Sequence, residues 1–374
     1  MSLTSNPVLV SAVLSAVLLF TGTVWLWPRL ARRSLRAVGG RIGLLLGTQV
    51  ALFAAVGLAA NQSFGFYASW ADLFGQEKDQ GVVVDHPPGG GPLEVVGSRR
   101  VPGAGGAPPR TGGRIQQVDI VGRTTHIASP AYVYLPPEYF QPRYRTHRFP
   151  TAVVLTGYPG TASALVDKLH YPRTALELSR AGRAKPMILV MLRPTVAPPR
   201  DTECVDIPGG PQTESFFAED LPDALRTHYR VAQKPGGLGI IGNSTGGYCA
   251  LKIALHHPDV YGAGAGLSPY FKAPIDATTG DLFQGDKALR NHADLLWFLA
   301  HRPAPDTSLL VSSSKVGEKD YRDTLRFIER VRDTGRTRIS SIILESGGHN
   351  FNTWRREIPA ALEWMSGRLS GPWK

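Results

Sequence analysis

Between Pro7 and Trp27 the chain reads PVLVSAVLSAVLLFTGTVWLW, 21 residues without a charge, and Ile42 to Ala60, IGLLLGTQVALFAAVGLAA, is a second uncharged run. Neither has a polar face to turn to water, so neither suits the surface helix of a soluble domain. At about 1.5 Å per residue, each is long enough to cross a bilayer's hydrocarbon core as a helix. A cleaved secretion signal has a basic start and a shorter apolar core. Here the chain opens MSLTSNP, with no basic side chain, and the second run follows closely. Two transmembrane helices are expected, at about 7–27 and 42–60, forming a membrane anchor over 1–60.

The segment joining the runs, PRLARRSLRAVGGR, holds Arg29, Arg32, Arg33, Arg36 and Arg41 and no acid. Positive loops stay in the cytoplasm. The hairpin is therefore expected to point inward, with everything after Ala60 extracytoplasmic. These arginines supply five of the eleven net positive charges, leaving 36 basic against 30 acidic side chains downstream. Topology and arginine usage explain the charge, which gives no reason to expect nucleic acid. Membrane lipid is the partner the anchor implies.

Residues 61–113 are expected to be an interfacial segment and linker. NQSFGFYASWADLFG carries aromatics suited to a membrane–water boundary. From about Gly75 to Gly113 the chain is thick with Gly and Pro and has no sustained period, as a flexible tether would be. Arg99, Arg100, Arg110 and Arg114 are expected to keep it solvated, the alternative being contact with anionic lipid or wall polymer.

From Arg114 onward, short runs rich in β-branched residues alternate with helical patterns. RIQQVDIVG, AYVYLPP, TAVVLTG, MILVML, GLGIIG, GAGAGLS, SLLVSSS and ISSIILES read as strands; FFAEDLPDALRTHY, GGYCALKIALHH and DYRDTLRFIERVRD read as helices. Such alternation predicts an α/β domain over 114–374, a mainly parallel sheet with helices on both faces. The two leading strands suggest an antiparallel entry hairpin.

One turn in that pattern is unusual. GGLGII, a buried-strand run, passes through Gly242-Asn243-Ser244-Thr245-Gly246-Gly247 directly into a helix. A sharp strand-to-helix turn lifts a serine hydroxyl above the sheet, and flanking glycines remove side chains that would clash. The helix amides behind it favour developing negative charge. Ser244 is thus the candidate nucleophile.

A serine hydroxyl needs a base. His349 stands on a Gly-Gly loop after ISSIILES, late in the chain, where the order Ser, acid, His places it. Most other histidines, including His228, His256 and His257, lie at helix ends and are expected to be solvated. The loop KVGEKDYRDTL offers Glu318 and Asp320 as the acid. Asp320 can instead cap the helix starting at Tyr321, which favours Glu318. The oxyanion donors would be the backbone N–H groups of Thr245 and of Tyr158, in the turn after TAVVL.

Cys204 and Cys249 fit an oxidising compartment and one disulfide; alternatively, Cys249 is a small buried residue of its helix. The polar loop Arg193–Glu214 would wall the cleft. Its Asp201, Asp206 and Glu214 read as solvated acids, or as ligands for sugar hydroxyls. Trp354 is expected to pack the last helix. No cluster has metal-ligand spacing and no phosphate-cradling loop precedes a Lys-Ser/Thr, so neither metal nor cofactor is expected.

The stretches IGNSTGGYCALKIALHHPDVYGAGAGLSPYF, ESFFAEDLPDALRTHYRV and SGGHNFNTWRREIPAALEWM resemble the esterase D family of α/β-hydrolases, which includes the secreted mycolyltransferases of the mycobacterial envelope. The resemblance covers about Arg114 to Trp373. It implies an α/β-hydrolase fold, with Ser244, His349 and the Tyr158 and Thr245 amides at the family's motif positions. The family's His-Gly before the oxyanion turn is here Thr156-Gly157, which a backbone role tolerates. The family's acid is Glu in some members and Asp in others, so Glu318 and Asp320 both stay open. The expected function is a membrane-anchored, extracytoplasmic serine esterase or acyltransferase acting on acyl esters of an actinobacterial type of envelope. Water, a sugar or a lipid would accept the acyl group. The competing reading is a catalytically silent hydrolase fold serving as scaffold or ligand-binding protein.

Overall fold

The computed structural model describes residues 6–31, 34–64, 91–101, 109–198 and 200–370. Most of the expected boundary aromatics and much of the expected tether lie outside these residues. The two apolar runs form helices α1 (Asn6–Leu26) and α2 (Leu35–Phe64). Their segments Pro7–Leu26 and Leu35–Asn61, of mean hydropathy 2.1 and 2.0, are long and apolar enough to cross a membrane. α2 begins seven residues before the expected Ile42, taking in Arg36 and Arg41, because only glycines interrupt that stretch, at about 1 kcal/mol each. Near the end of α1 and the middle of α2, the Thr23 and Thr48 hydroxyls meet at 3.0 Å, and each also reaches the carbonyl four residues back in its own helix.

A separate unit, from His86 onward, is built on a nine-stranded sheet. The strands are β1 (Leu93–Arg100), β2 (Arg114–Val121), β3 (Ala128–Leu135), β4 (Thr151–Leu155), β5 (Ile188–Leu192), β6 (Leu238–Asn243), β7 (Ala263–Leu267), β8 (Ser308–Val316) and β9 (Arg338–Ser346), in the order β1-β2-β3-β5-β4-β6-β7-β8-β9. β4 to β9 run parallel, and β1, β2 and β3 are antiparallel. The fold is the expected α/β one with its entry hairpin.

All eight sequence-read strands form. The ninth, β1, lies inside the stretch read as tether, so that reading is corrected for Leu93–Arg100. β1 pairs with β2 from Leu93↔Ile120 to Arg100↔Arg114. Only Leu93 in it is buried. An edge strand exposed on both faces shows no apolar alternation, and its pairing comes from β2 alone.

Along β4, Val153 and Leu155 enter one core while Ala152 and Val154 enter the other, which explains the uninterrupted apolar run TAVVL. The main helices cover both faces. α3 (Tyr171–Arg180) and α7 (Phe351–Arg368) pack on one; α4 (Leu221–His228), α5 (Thr245–His256) and α6 (Tyr321–Asp333) pack on the other. The carboxyl ends of the parallel strands share one edge, where open α/β sheets hold their sites.

Candidate active site

Ser244 stands alone between β6 and α5, at φ 55° and ψ −123°, a backbone region L-residues rarely enter and one that costs of order 1–3 kcal/mol. The surrounding backbone enforces it. A Cβ on Gly246 would strike the Thr156 carbonyl oxygen and lie 2.6 Å from that of Leu155. One on Gly157 would lie 2.9 Å from Ser244 Cβ. The turn after β4 thus presses directly on the serine, and only glycine permits the approach.

That contact brings the Gly157-Tyr158 turn beside Ser244. The turn is braced by the Gly160 N–H on the Gly157 carbonyl at 2.8 Å and by the Thr156 hydroxyl on the same oxygen at 2.9 Å. Thr245 opens α5, so its N–H belongs to the first turn, whose amides have no acceptor within the helix. Of the two expected oxyanion residues, Thr245 directly follows Ser244 and Tyr158 directly follows Gly157, the residue pressed against the serine.

His349 Nε2 lies 2.8 Å from Ser244 Oγ, across 105 residues of sequence. Its loop is pinned on both sides. The Gly347 N–H donates to the Val316 carbonyl at 2.9 Å, and Gly317, at φ 100°, packs against Gly347. Asn350 then caps α7 through the N–H groups of Asn352 and Thr353, at 3.0 and 3.2 Å. Trp354 is buried, and its ring edge meets the imidazole at 5.2 Å and 83°. Its indole N–H donates to Ser268 Oγ at 3.0 Å. It therefore does more than pack the last helix.

Glu318 Oε1 accepts from Ser268 Oγ at 2.5 Å, and Oε2 from Ser313 Oγ at 2.9 Å. Among the described residues neither oxygen bonds to the imidazole, so Glu318 acts on His349 through space. Burial holds the His349 pKa below the ordinary 6.5, against the pull of Glu318 and, less strongly, of Asp320. Asp320 sits at the N-cap of α6, but its side chain caps nothing; only its carbonyl takes part, receiving the Thr324 N–H at 3.0 Å. The expected capping bond is not made.

The Arg193–Glu214 loop folds inward, contrary to the expectation of solvated acids. The Cys204–Cys249 disulfide, with Cα atoms 5.7 Å apart, ties it to α5. Asp206 accepts from the Ser215 N–H and hydroxyl, at 3.0 and 2.6 Å. Glu214 bonds to Lys252, His256 and His257, at 3.0, 2.7 and 3.0 Å. Burial pushes its pKa up, but Lys252 and the two histidines together hold it well below the usual value. His256 is thus a buried partner rather than a solvated helix end. Asp201 is 2% exposed, and burial raises its pKa to about 6. Its Oδ2 lies 3.5 Å from Thr245 Oγ1.

Two buried groups escaped the sequence reading. Glu203 is raised to about 9, by burial first and then by Asp201; the Tyr270 hydroxyl lies 2.7 and 2.6 Å from its two oxygens. Glu357 on α7, wholly buried near Ser312, is raised to about 8 by burial. The paired cysteines were the one signal that this polar loop folds onto α5. Nothing local marked Glu357, because burial of a single helix face position depends on what packs over it.

Residues 125–365 match the family model described as "Putative esterase". An uncharacterized protein of Corynebacterium glutamicum is 25% identical over 270 residues, 68% of this chain and 62% of its own length. The MPT51/MPB51 antigen of Mycobacterium bovis is 32% identical over 77 residues, 21% of this chain and 25% of the antigen. This chain therefore spans less than two thirds of either relative. Among solved structures, the S-formylglutathione hydrolase of Agrobacterium tumefaciens shares the fold at a TM-score of 0.57 and 18% identity, over 74% of this chain and all of that one. With its elbow serine, loop histidine and parallel sheet, this chain belongs to the esterase family of α/β-hydrolases.

Proposed function

We propose that this protein is a serine esterase or acyltransferase for acyl esters of the cell envelope, held at the membrane by α1 and α2 with its hydrolase unit extracytoplasmic. The Ser244 Oγ to His349 Nε2 distance of 2.8 Å carries the reading. Ser244 Oγ attacks the ester carbonyl carbon while His349 Nε2 takes its proton. The Tyr158 and Thr245 N–H groups hold the resulting oxyanion. The C–O bond to the alcohol then breaks, and His349 returns the proton to the leaving oxygen. Water, or a sugar or lipid hydroxyl, attacks the acyl-enzyme by the same steps in reverse order. Glu318 stabilises the imidazolium, and its two serine bonds hold it in place.

The test uses the full chain in detergent with a fluorophosphonate probe and 4-nitrophenyl esters of graded acyl length, comparing Ser244→Ala and His349→Ala. Labelling and turnover lost in both variants, by ~10⁴-fold or more, support the reading. A folded wild-type protein that neither labels nor turns over any ester overturns it. Product analysis with trehalose or glycerol present separates transfer from hydrolysis.

A further inference from the structure

A concavity opens near the turn after β4. Arg193 directly follows β5, and the Thr156 N–H donates to the Leu192 carbonyl at 3.2 Å, so Arg193 and the Gly157 turn leave the sheet side by side at the Ser244 edge. β5 is two strands from β6, a lateral separation of roughly 10 Å at the usual strand spacing. A cavity of about 260 Å³ opens there, lined by Arg193 with Gln117, Tyr132, Thr161 and Ser163, and by no acid. A second, of about 290 Å³, continues past Gln117 and Tyr132 to Arg99, whose charge Asp167 meets at 3.2 Å.

Among the described residues Arg193 has no such partner. Two other partly buried arginines of this unit do bond to backbone carbonyls: Arg230 to those of Tyr139 and Tyr144, Arg200 to those of Thr279 and Asp281 at 2.7 and 2.6 Å. Among the described residues Arg193 makes neither such bonds nor an ion pair, and burial alone shifts its pKa, downward. A partly desolvated guanidinium without a partner is costly. Here it faces an open cavity that presents donors, and a planar fork of N–H groups matches a carboxylate or phosphate.

We propose that this cavity is a substrate subsite for an anionic group, carboxylate or phosphate, anchored by Arg193 and assisted by Gln117, Thr161 and Ser163. This rests on the serine esterase reading and deepens it. The leaving alcohol must face His349, which lies toward β9, whereas the cavity lies toward β5 and β3. The anion therefore belongs to the acyl part, roughly 10 Å from the reacting carbonyl.

The full chain in detergent is given mono-4-nitrophenyl esters of diacids from succinic to sebacic, alongside uncharged 4-nitrophenyl esters of equal length. The expected result is a kcat/KM preference for the longer charged esters. Arg193→Gln lowers the charged-to-neutral ratio by ~10–100-fold, and Arg193→Lys recovers part of it. A second arm compares the acetyl esters of glycerol 3-phosphate and glycerol. An Arg193-dependent preference there alone keeps the subsite but overturns its acyl assignment. A ratio that Arg193→Gln leaves unchanged in both arms overturns the proposal. Suberate and inorganic phosphate are also titrated against Ser244→Ala by thermal unfolding, which needs no turnover. A Tm rise that Arg193→Gln abolishes supports the subsite even if the esterase reading fails, and no rise with either anion overturns it.

Discussion

His349 carries three kinds of contact, each with its own consequence. Its Nε2 faces Ser244, its ring lies against Trp354, and Glu318 acts on it through space. Burial makes the imidazolium costly, so the ring stays neutral and able to accept a proton below pH 6.5. The acid limb of a kcat/KM–pH profile should therefore have its midpoint below 6.5; a midpoint at or above that value would contradict the burial argument. Glu318 and Asp320 are also separable. Glu318 pulls harder on the imidazole and is fixed by two serines, whereas Asp320 uses only its carbonyl. Glu318→Gln should cost ~10³–10⁴-fold in kcat, and Asp320→Asn less than ~10-fold. Steady-state kinetics of the two variants that reversed this order would move the acid role to Asp320.

At the scale of elements, Ser244 is where it is because β6, α5 and the turn after β4 meet at glycines. The Arg193–Glu214 loop is held differently. Glu203 and Cys204 both take positive φ, 50° and 51°, and the disulfide, Lys252 on the Cys204 carbonyl and Tyr270 on Glu203 keep them there. β1 completes the sheet at its far edge. A chain beginning at Arg114 lacks β1 and leaves the full length of β2 unpaired on one side, a surface prone to pair with other chains. Compared with a chain beginning at Gly91, it should unfold at lower denaturant and associate more strongly. Equal midpoints and equal monodispersity would show that β1 adds nothing to the unit.

For the whole molecule, buried carboxyls tie stability to pH. Glu357 has a folded pKa of about 8 against an ordinary 4.5, so folding takes up its proton throughout that interval. The group is neutral in both states below 4.5, and its burial increasingly opposes folding as pH rises from 4.5 to 8. Glu357→Gln should then match wild type near pH 4.5 and exceed it by about 1–3 kcal/mol at pH 8. A stability gap independent of pH would mean that Glu357 stays ionised when folded. Orientation in the membrane is a second property of the whole. With the arginine loop inside, a cysteine placed at Ser34 should resist a membrane-impermeant maleimide in intact cells, while one at Ser98, exposed on β1, should react. The opposite pattern would invert the topology.

What the sequence determined by itself was what local pattern can encode. Two uncharged runs became long apolar helices, β-branched runs became eight strands, and Gly242–Gly247 between a strand and a helix became the elbow at Ser244. Each depends on neighbours along the chain. The tertiary structure decided what depends on neighbours in space: β1, which only β2 makes a strand; the inward fold of Asp201, Glu203 and Glu214 around the disulfide; and the burial of Glu357. Between the two stands the proposed acid. The sequence narrowed it to one loop, but Glu318 and Asp320 differ only in which serines and which imidazole lie across from them, and contacts between β7, β8 and the loop after β9 supply those.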